Sequence, residues 1–226
     1  CISCQLRTDL FERGTAAGGT HAEPGELLTV PGSSSFSQGA LLNMSEVARE
    51  CAVSSKVAAS YFDILDDLLI GIRIPPFTKR SRRRLVQRPK FFFFDAGVYR
   101  TIRPKGPVDS PEEIDGPVFE TLLLQHLRAL IDGYDLRFDL YHWRRVGGIE
   151  VDFVLYGEAG LIAIEVKRKR RPSGNDLRGL RAFTDEYPMA KCYVLANIPQ
   201  PQPLNGIAVV PLSQVFHQLP QMLGAH

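Results

Sequence analysis

Gly147-Gly148-Ile149-Glu150-Val151-Asp152-Phe153-Val154-Leu155-Tyr156, then Gly157-Glu158-Ala159-Gly160, then Leu161-Ile162-Ala163-Ile164-Glu165-Val166-Lys167 is the stretch on which the fold turns. Two apolar runs of strand length flank a four-residue turn, so 149–156 and 161–167 read as the partners of a hairpin. Side chains alternate between the two faces of a strand, so Glu150 shares a face with Asp152, and Glu165 with Lys167. The pairing sets Asp152 beside Glu165 near the strand ends, with Lys167 just beyond.

The segments around the hairpin supply the other layers. Upstream, Ser110-Pro111-Glu112-Glu113 is a helix start, and a helix is predicted over Val118 to Ile131. Its Glu120 leans over the spot where Asp152 and Glu165 meet. Leu136, Phe138 and Leu140 alternate with Arg137, Asp139 and Tyr141 as a strand. Downstream, a helix is predicted over Asp176 to Tyr187 and a strand over Cys192 to Ala196. The order is helix, three strands, helix, strand, which is an α/β (α+β) pattern.

Three carboxylates around one ammonium repel one another unless they are protonated or hold a cation. Oxygen-only ligands suit a hard ion, Mg2+ first and Mn2+ second. Such an ion polarises a phosphodiester and activates water, with Lys167 orienting the water or offsetting developing charge. An Ile-Glu-Val-Lys strand taken alone also reads as an ion pair on the wet face of a sheet. The acid on the preceding strand and the acid on the helix are what favour the metal.

The first part of the chain reads differently. Residues 1–39 are rich in Gly, Ser, Thr and Pro, a linker or the remnant of a preceding domain. Asn43 and Glu46 form a capping-box pattern for a helix running to about Cys51. Ser54 or Ser55 caps a second helix, whose apolar face runs Val57, Ala58, Tyr61, Phe62, Leu65, Leu68, Leu69. Ile70, Ile72 and Ile74 alternate as a strand that Pro75-Pro76 ends, and Phe91 to Phe94 reads as a buried strand. Two helices, a strand, a charged loop and a returning strand give a winged-helix outline. Its second helix carries Asp63, Asp66 and Asp67, which phosphates repel, so a packing or coupling unit is favoured over a sequence reader. The expected limits are 1–39, 40–104 for this module and 105–226 for the α/β domain.

Charge is unevenly spread along the 226 residues, whose formal net charge is +2. Lys79, Arg80, Arg82, Arg83, Arg84, Arg88 and Lys90 form one basic stretch, and Lys167, Arg168, Lys169, Arg170 and Arg171 another. Twelve of the 27 basic residues fall in these runs, leaving an acidic remainder. Both runs read either as solvated loops or as contacts to the phosphates of DNA. The cysteines Cys1, Cys4, Cys51 and Cys192 hold one CxxC pair, too few for a tetrahedral zinc site, and fit a reducing, cytoplasmic setting. No apolar run reaches the ~20 residues of a membrane span and no signal peptide is visible. The chain starts at Cys1, the mark of a fragment or a trimmed product.

Glu120, Asp152 and Glu165-Val166-Lys167 resemble the PD-(D/E)xK nuclease superfamily. The chain is more specifically similar to one group of prokaryotic AAA+ ATPases, which carry a winged helix and then a domain of unknown function with this nuclease fold. Leu41-Leu42-Asn43-Met44-Ser45, Phe93-Phe94-Asp95-Ala96-Gly97, Trp143-Arg144, Gly148 to Phe153 and Ile164 to Lys167 carry the likeness, which runs from about residue 40 to 215. The resemblance implies a restriction-endonuclease-like domain with a mixed central sheet flanked by helices. It implies metal binding by Asp152 and Glu165, catalytic assistance by Lys167 and support from Glu120. That group usually has Glu-Leu six residues after the helix glutamate, where this chain has His126-Leu127, either a harmless surface change or an altered proton balance. No GxxxxGK[ST] loop is present, so the ATPase module is expected upstream of Cys1 and no ATP hydrolysis is expected from this chain.

Two functions follow as expectations. One is a Mg2+-dependent DNA endonuclease domain with a winged-helix companion. The other is a non-catalytic module that binds nucleic acid or protein, coupled to a separate ATPase. A third, blander option is a purely structural domain that forms a homo-oligomer.

Overall fold

The computed structural model describes residues 37–81, 84–103 and 111–225. The chain divides into two compact units: one runs up to Arg73 and resumes over Arg88–Leu122, and the other joins Ile74–Gln87 to Leu123–His226. The expected limits at residues 40 and 104 follow chain order, whereas these units interleave along it. Among the described residues, no helix is long and apolar enough to cross a membrane.

In the first unit the order is β1 (Ala40–Leu41), α1 (Met44–Glu50), α2 (Ser55–Asp67), β2 (Gly71–Ile74), β3 (Lys90–Phe93), α3 (Ala96–Ile102) and the first part of α4 (Pro111–Gly133). The strands form a small sheet in the order β1-β3-β2. Ser54 caps α2 as the sequence predicts, its Oγ accepting the Val57 N–H at 3.2 Å. Ala58, Tyr61, Phe62 and Leu65 then bury one face against Phe91 and Phe93, with Phe62 edge-on to Phe91 at 4.8 Å.

Several expectations fail locally. Asn43 does not cap α1 through its side chain; its amide donates instead to the Glu46 carboxylate at 3.0 Å. α2 stops at Asp67, so Leu69 adopts a φ of 57° and points out, 79% exposed. Phe94 lies past the end of β3 and is 41% exposed rather than buried. Helix α3 was not predicted, although Asp95 signals it by accepting the Gly97 and Val98 N–H groups. Arg73 pairs with both Asp63 (2.7 Å) and Asp66 (2.8 Å), so two of the three acids on α2 share one cation.

The second unit is mixed α/β. It continues α4 and adds β4 (Phe138–Arg144), β5 (Glu150–Gly157), β6 (Gly160–Lys167), a 3-10 turn (Gly174–Leu177), α5 (Arg178–Glu186), β7 (Lys191–Ala196), β8 (Gln202–Leu204), β9 (Ile207–Pro211) and α6 (Val215–Leu223). The sheet runs β4-β5-β6-β7-β9-β8. β4, β5 and β6 are antiparallel; β6, β7 and β9 are parallel; β8 returns antiparallel to β9. Parallel neighbours need a crossover, which the 3-10 turn and α5 provide between β6 and β7. Leu180 and Phe183 of α5 are fully buried with Val154, Ala163 and Val194 of the sheet, each large side chain contributing ~1.5–3 kcal/mol.

Residues 74–81 and 84–87 form a strap on this unit. Phe77 and Leu85 lie in its core, and the strap backbone bonds β4 through Phe77 N–H to His142 O (2.6 Å) and Val86 N–H to Arg144 O (2.9 Å). The basic stretch expected as a loop of the first module therefore belongs largely to the second unit. The strand expected from Leu136 starts only at Phe138, because Arg137 has a φ of 52°. β8 and β9 extend the sheet beyond the last predicted strand, and α6 follows them.

Candidate functional site

Asp152 and Glu165 lie one step past the last paired residues of the hairpin. β5 and β6 pair from Gly157↔Gly160 to Phe153↔Ile164, and the next step of that register sets Asp152 opposite Glu165. There the backbone ladder gives way to a side chain: Asp152 Oδ2 accepts the Val166 N–H at 2.9 Å. Beyond it β6 continues only with β7, through Glu165↔Val194 to Lys167↔Ala196. β5 also slips by one residue against β4, since Tyr141 pairs Val154 but Trp143 pairs Val151. Such a bulge re-aims side chains, and here it falls at Asp152 and Phe153.

Both carboxylates are buried, Asp152 at 7% and Glu165 at 3% exposure. Lys167 Nζ lies 2.5 Å from Glu165 Oε1. Burial works against the ammonium, but the charge and hydrogen bond of Glu165, with Asp152 and Glu150 behind it, outweigh that. The Lys167 pKa stands above its ordinary value. At neutral pH Lys167 is a charged donor and not a base.

Gly179 brings α5 down onto this centre. A Cβ there would come within 1.9 Å of the Glu150 carbonyl oxygen, and 3.5 Å from Glu165 Oε2. The helix start thus lies over a buried carboxylate, which its dipole favours. A cleft of about 300 Å3 opens between them, bounded by Gly147, Glu150, Glu165, Lys167, Asn175 and Arg178. Glu150 is paired with Arg144 at 2.7 Å. At the cleft wall Asp176 holds Lys169 at 2.7 Å and closes a capping box with Ser173. The Lys169 bond, opposed by burial and aided by Ser173, lowers the Asp176 pKa to about 2.

Among the predicted site residues, Asp152, Glu165 and Lys167 come together in the second unit. Glu120 lies in the first unit, where a Cβ on Gly39 would meet its Oε2 at 3.1 Å. Among the described residues no group of three or more His, Cys, Asp or Glu side chains is arranged to hold a metal ion. His126 is half-buried, its ring 4.0 Å from that of Phe216 on α6.

The basic residues separate. Lys79, Arg80, Arg84 and Arg88 are exposed, as are Arg168, Lys169, Arg170 and Arg171. Lys90, expected beside them, is instead buried in β3 at 3% exposure, which removes it from an open phosphate surface. Arg82, Arg83, Cys1 and Cys4 lie outside the described residues; Cys51 and Cys192 are free thiols.

Residues 115–215, which include the whole acidic centre, match a domain of unknown function, DUF4143. Residues 9–109 match a second, DUF8612. The chain is 24% identical over 184 residues to the uncharacterized proteins Rv2008c of Mycobacterium tuberculosis and Mb2031c of Mycobacterium bovis. That match takes in 79% of this chain and 40% of theirs, so the chain spans well under half the length of these relatives. Among solved structures, protein VC1899 from Vibrio cholerae is 16% identical, with a TM-score of 0.37 over 98% of this chain and 57% of that one. A likeness so distant bears on neither fold nor function.

Sequence reasoning missed Asn175, Arg178 and Gly179, which reach the cleft only through the crossover after β6. A signal was present: Ser173 with Asp176 three residues on is a capping pattern that announces the turn.

Proposed function

We propose that the second unit is a PD-(D/E)xK-type nuclease domain that takes a divalent cation between Asp152 and Glu165 and acts on a DNA phosphodiester. On this reading the first unit is its winged-helix companion, and both belong to the carboxyl-terminal part of an AAA+ ATPase-type protein. The observation that carries the reading is the opposition of two buried acids where β5 and β6 part, with Lys167 one step along the same strand. The site also lies at the carboxyl ends of the parallel strands β6 and β7, where open α/β sheets place their ligands.

The donors suit the ion. Two hard carboxylates are the usual protein share of a Mg2+ site, the rest of the shell being water and substrate oxygens. A bound Mg2+ or Mn2+ would polarise the phosphodiester and ease deprotonation of a water. Lys167, released from Glu165, offsets charge on the phosphoryl oxygens. Arg178 and the exposed Arg168, Arg170 and Arg171 hold flanking phosphates.

The test is a nicking assay on supercoiled and branched DNA with Mg2+ or Mn2+. Cleavage by the wild type, lost by at least about a hundredfold in Asp152→Ala and in Glu165→Gln, is the expected result. Equal trace activity in wild type and variants removes the catalytic reading.

One observation favours a second reading, a non-catalytic binding module coupled to a separate ATPase. The Lys167 ammonium already neutralises Glu165, and among the described residues no three acid, His or Cys side chains are arranged to hold a metal ion. An inactive wild type whose DNA affinity falls steeply with salt is the outcome that selects it.

A further inference from the structure

At the turn end of the β5–β6 hairpin, four residues along β5 from Asp152 and so about 13 Å away, the second unit carries another cavity. It encloses about 510 Å3. Its wall is aromatic: Phe77 from the strap packs against Tyr156 of β5 at 5.5 Å between ring centroids and against Tyr187 at 5.3 Å. Met189, 69% exposed, stands at the rim with its polarisable thioether.

The charged groups lining it are both positive. Lys79 and Arg80 are exposed, and no carboxylate is among the lining residues. Glu186, next to Tyr187, is engaged by Ser81 at 2.6 Å and by Arg145 at 3.4 Å. The turn that carries the two cations is fixed in place. Tyr187 Oη donates to the Lys79 carbonyl at 2.9 Å, and Arg80 is held at a φ of 56°, a conformation that costs energy and concentrates at ligand sites. Lys79 Nζ lies over the Tyr156 ring, 4.3 Å from its centroid, so the ammonium covers one face of that ring.

This arrangement selects a ligand class. Two cations disfavour a cationic guest, and a mostly apolar wall gives a bare inorganic anion little to hold. A planar π-system with an attached anion satisfies both parts: Lys79 swings off Tyr156 to meet the anion with Arg80, and the plane takes its place against Tyr156 and Met189. The volume lies within the ordinary range of small-molecule sites, ~300–1,000 Å3. We propose that this cavity binds a nucleobase together with its phosphate, from a free mononucleotide or from an unstacked nucleotide of a single strand. The proposal does not rest on the acidic centre.

The experiment is calorimetric titration of the whole chain in EDTA, so that no divalent ion takes part. The probes are adenosine 5′-monophosphate, adenosine, inorganic phosphate and a twelve-nucleotide oligo(dA). Adenosine 5′-monophosphate is expected to bind, with affinity about tenfold lower for adenosine, for Lys79→Ala and for Tyr156→Ala. Tighter binding of oligo(dA), weakened by the same substitutions, identifies the strand as the source; no gain over the mononucleotide identifies the free ligand. Failure of both nucleotide probes to bind at millimolar concentration overturns the proposal. So does phosphate binding as well as the mononucleotide, or an unchanged affinity in Lys79→Ala, an exposed substitution that leaves the core intact.

Discussion

At the scale of single residues, the acidic centre is organised by pairs of opposite charge. Lys167 with Glu165, Arg144 with Glu150, and Lys169 with Asp176 place one cation against each acid around the cleft. The Asp176 pair has a consequence in pH. Its folded pKa, about 2, lies below the ordinary carboxylate value, so its contribution to stability is present above pH ~4 and is lost as pH falls toward 2. Carboxyl-carbon NMR titration should place the Asp176 midpoint near 2 in the wild type and higher in Lys169→Ala. A wild-type midpoint near 4 would show that the capping box and the ion pair do not form.

Elements meet through contacts that period alone does not reveal. α5 presses on β5 because residue 179 has no side chain; a Cβ would overlap the Glu150 carbonyl, a backbone group that cannot swing away. Gly179→Ala must therefore push α5 off the sheet, at a cost of ~1–3 kcal/mol or more. Gly147→Ala, where a Cβ meets nothing within 4 Å, should change little. Urea denaturation of the two variants makes the comparison, and equal midpoints would contradict the close approach. The hairpin itself was legible, since alternation and a short turn fix the Asp152–Glu165 register within some fifteen residues. Helix α3 was not read, although Asp95 announced it, because a seven-residue helix has too few turns for a clear apolar period.

For the whole molecule, the telling feature is the strap. Residues 74–87 leave the first unit, lay Phe77 and Leu85 into the core of the second, and return. A fragment of residues 111–226 lacks both side chains, and losing a buried Phe alone costs ~3–5 kcal/mol. That fragment should melt broadly and bind a hydrophobic dye, whereas residues 37–226 melt cooperatively. A sharp transition at the same temperature in both would show that the strap adds nothing to the core.

The sequence by itself determined the element order of the central hairpin and helices, the mixed α/β character and the meeting of Asp152, Glu165 and Lys167. Each of these depends on neighbours a few residues away, where backbone geometry acts directly on the pattern of side chains. The tertiary structure alone decided that Lys90 is buried, that the basic stretch straps the second unit, that Glu120 falls in the first, and that Tyr187 and Ser81–Glu186 anchor a cationic turn. Those outcomes depend on pairs about a hundred residues apart, such as Ser81 with Glu186 and Lys79 with Tyr187. Only closure of the chain brings such partners into contact, and no local period encodes it.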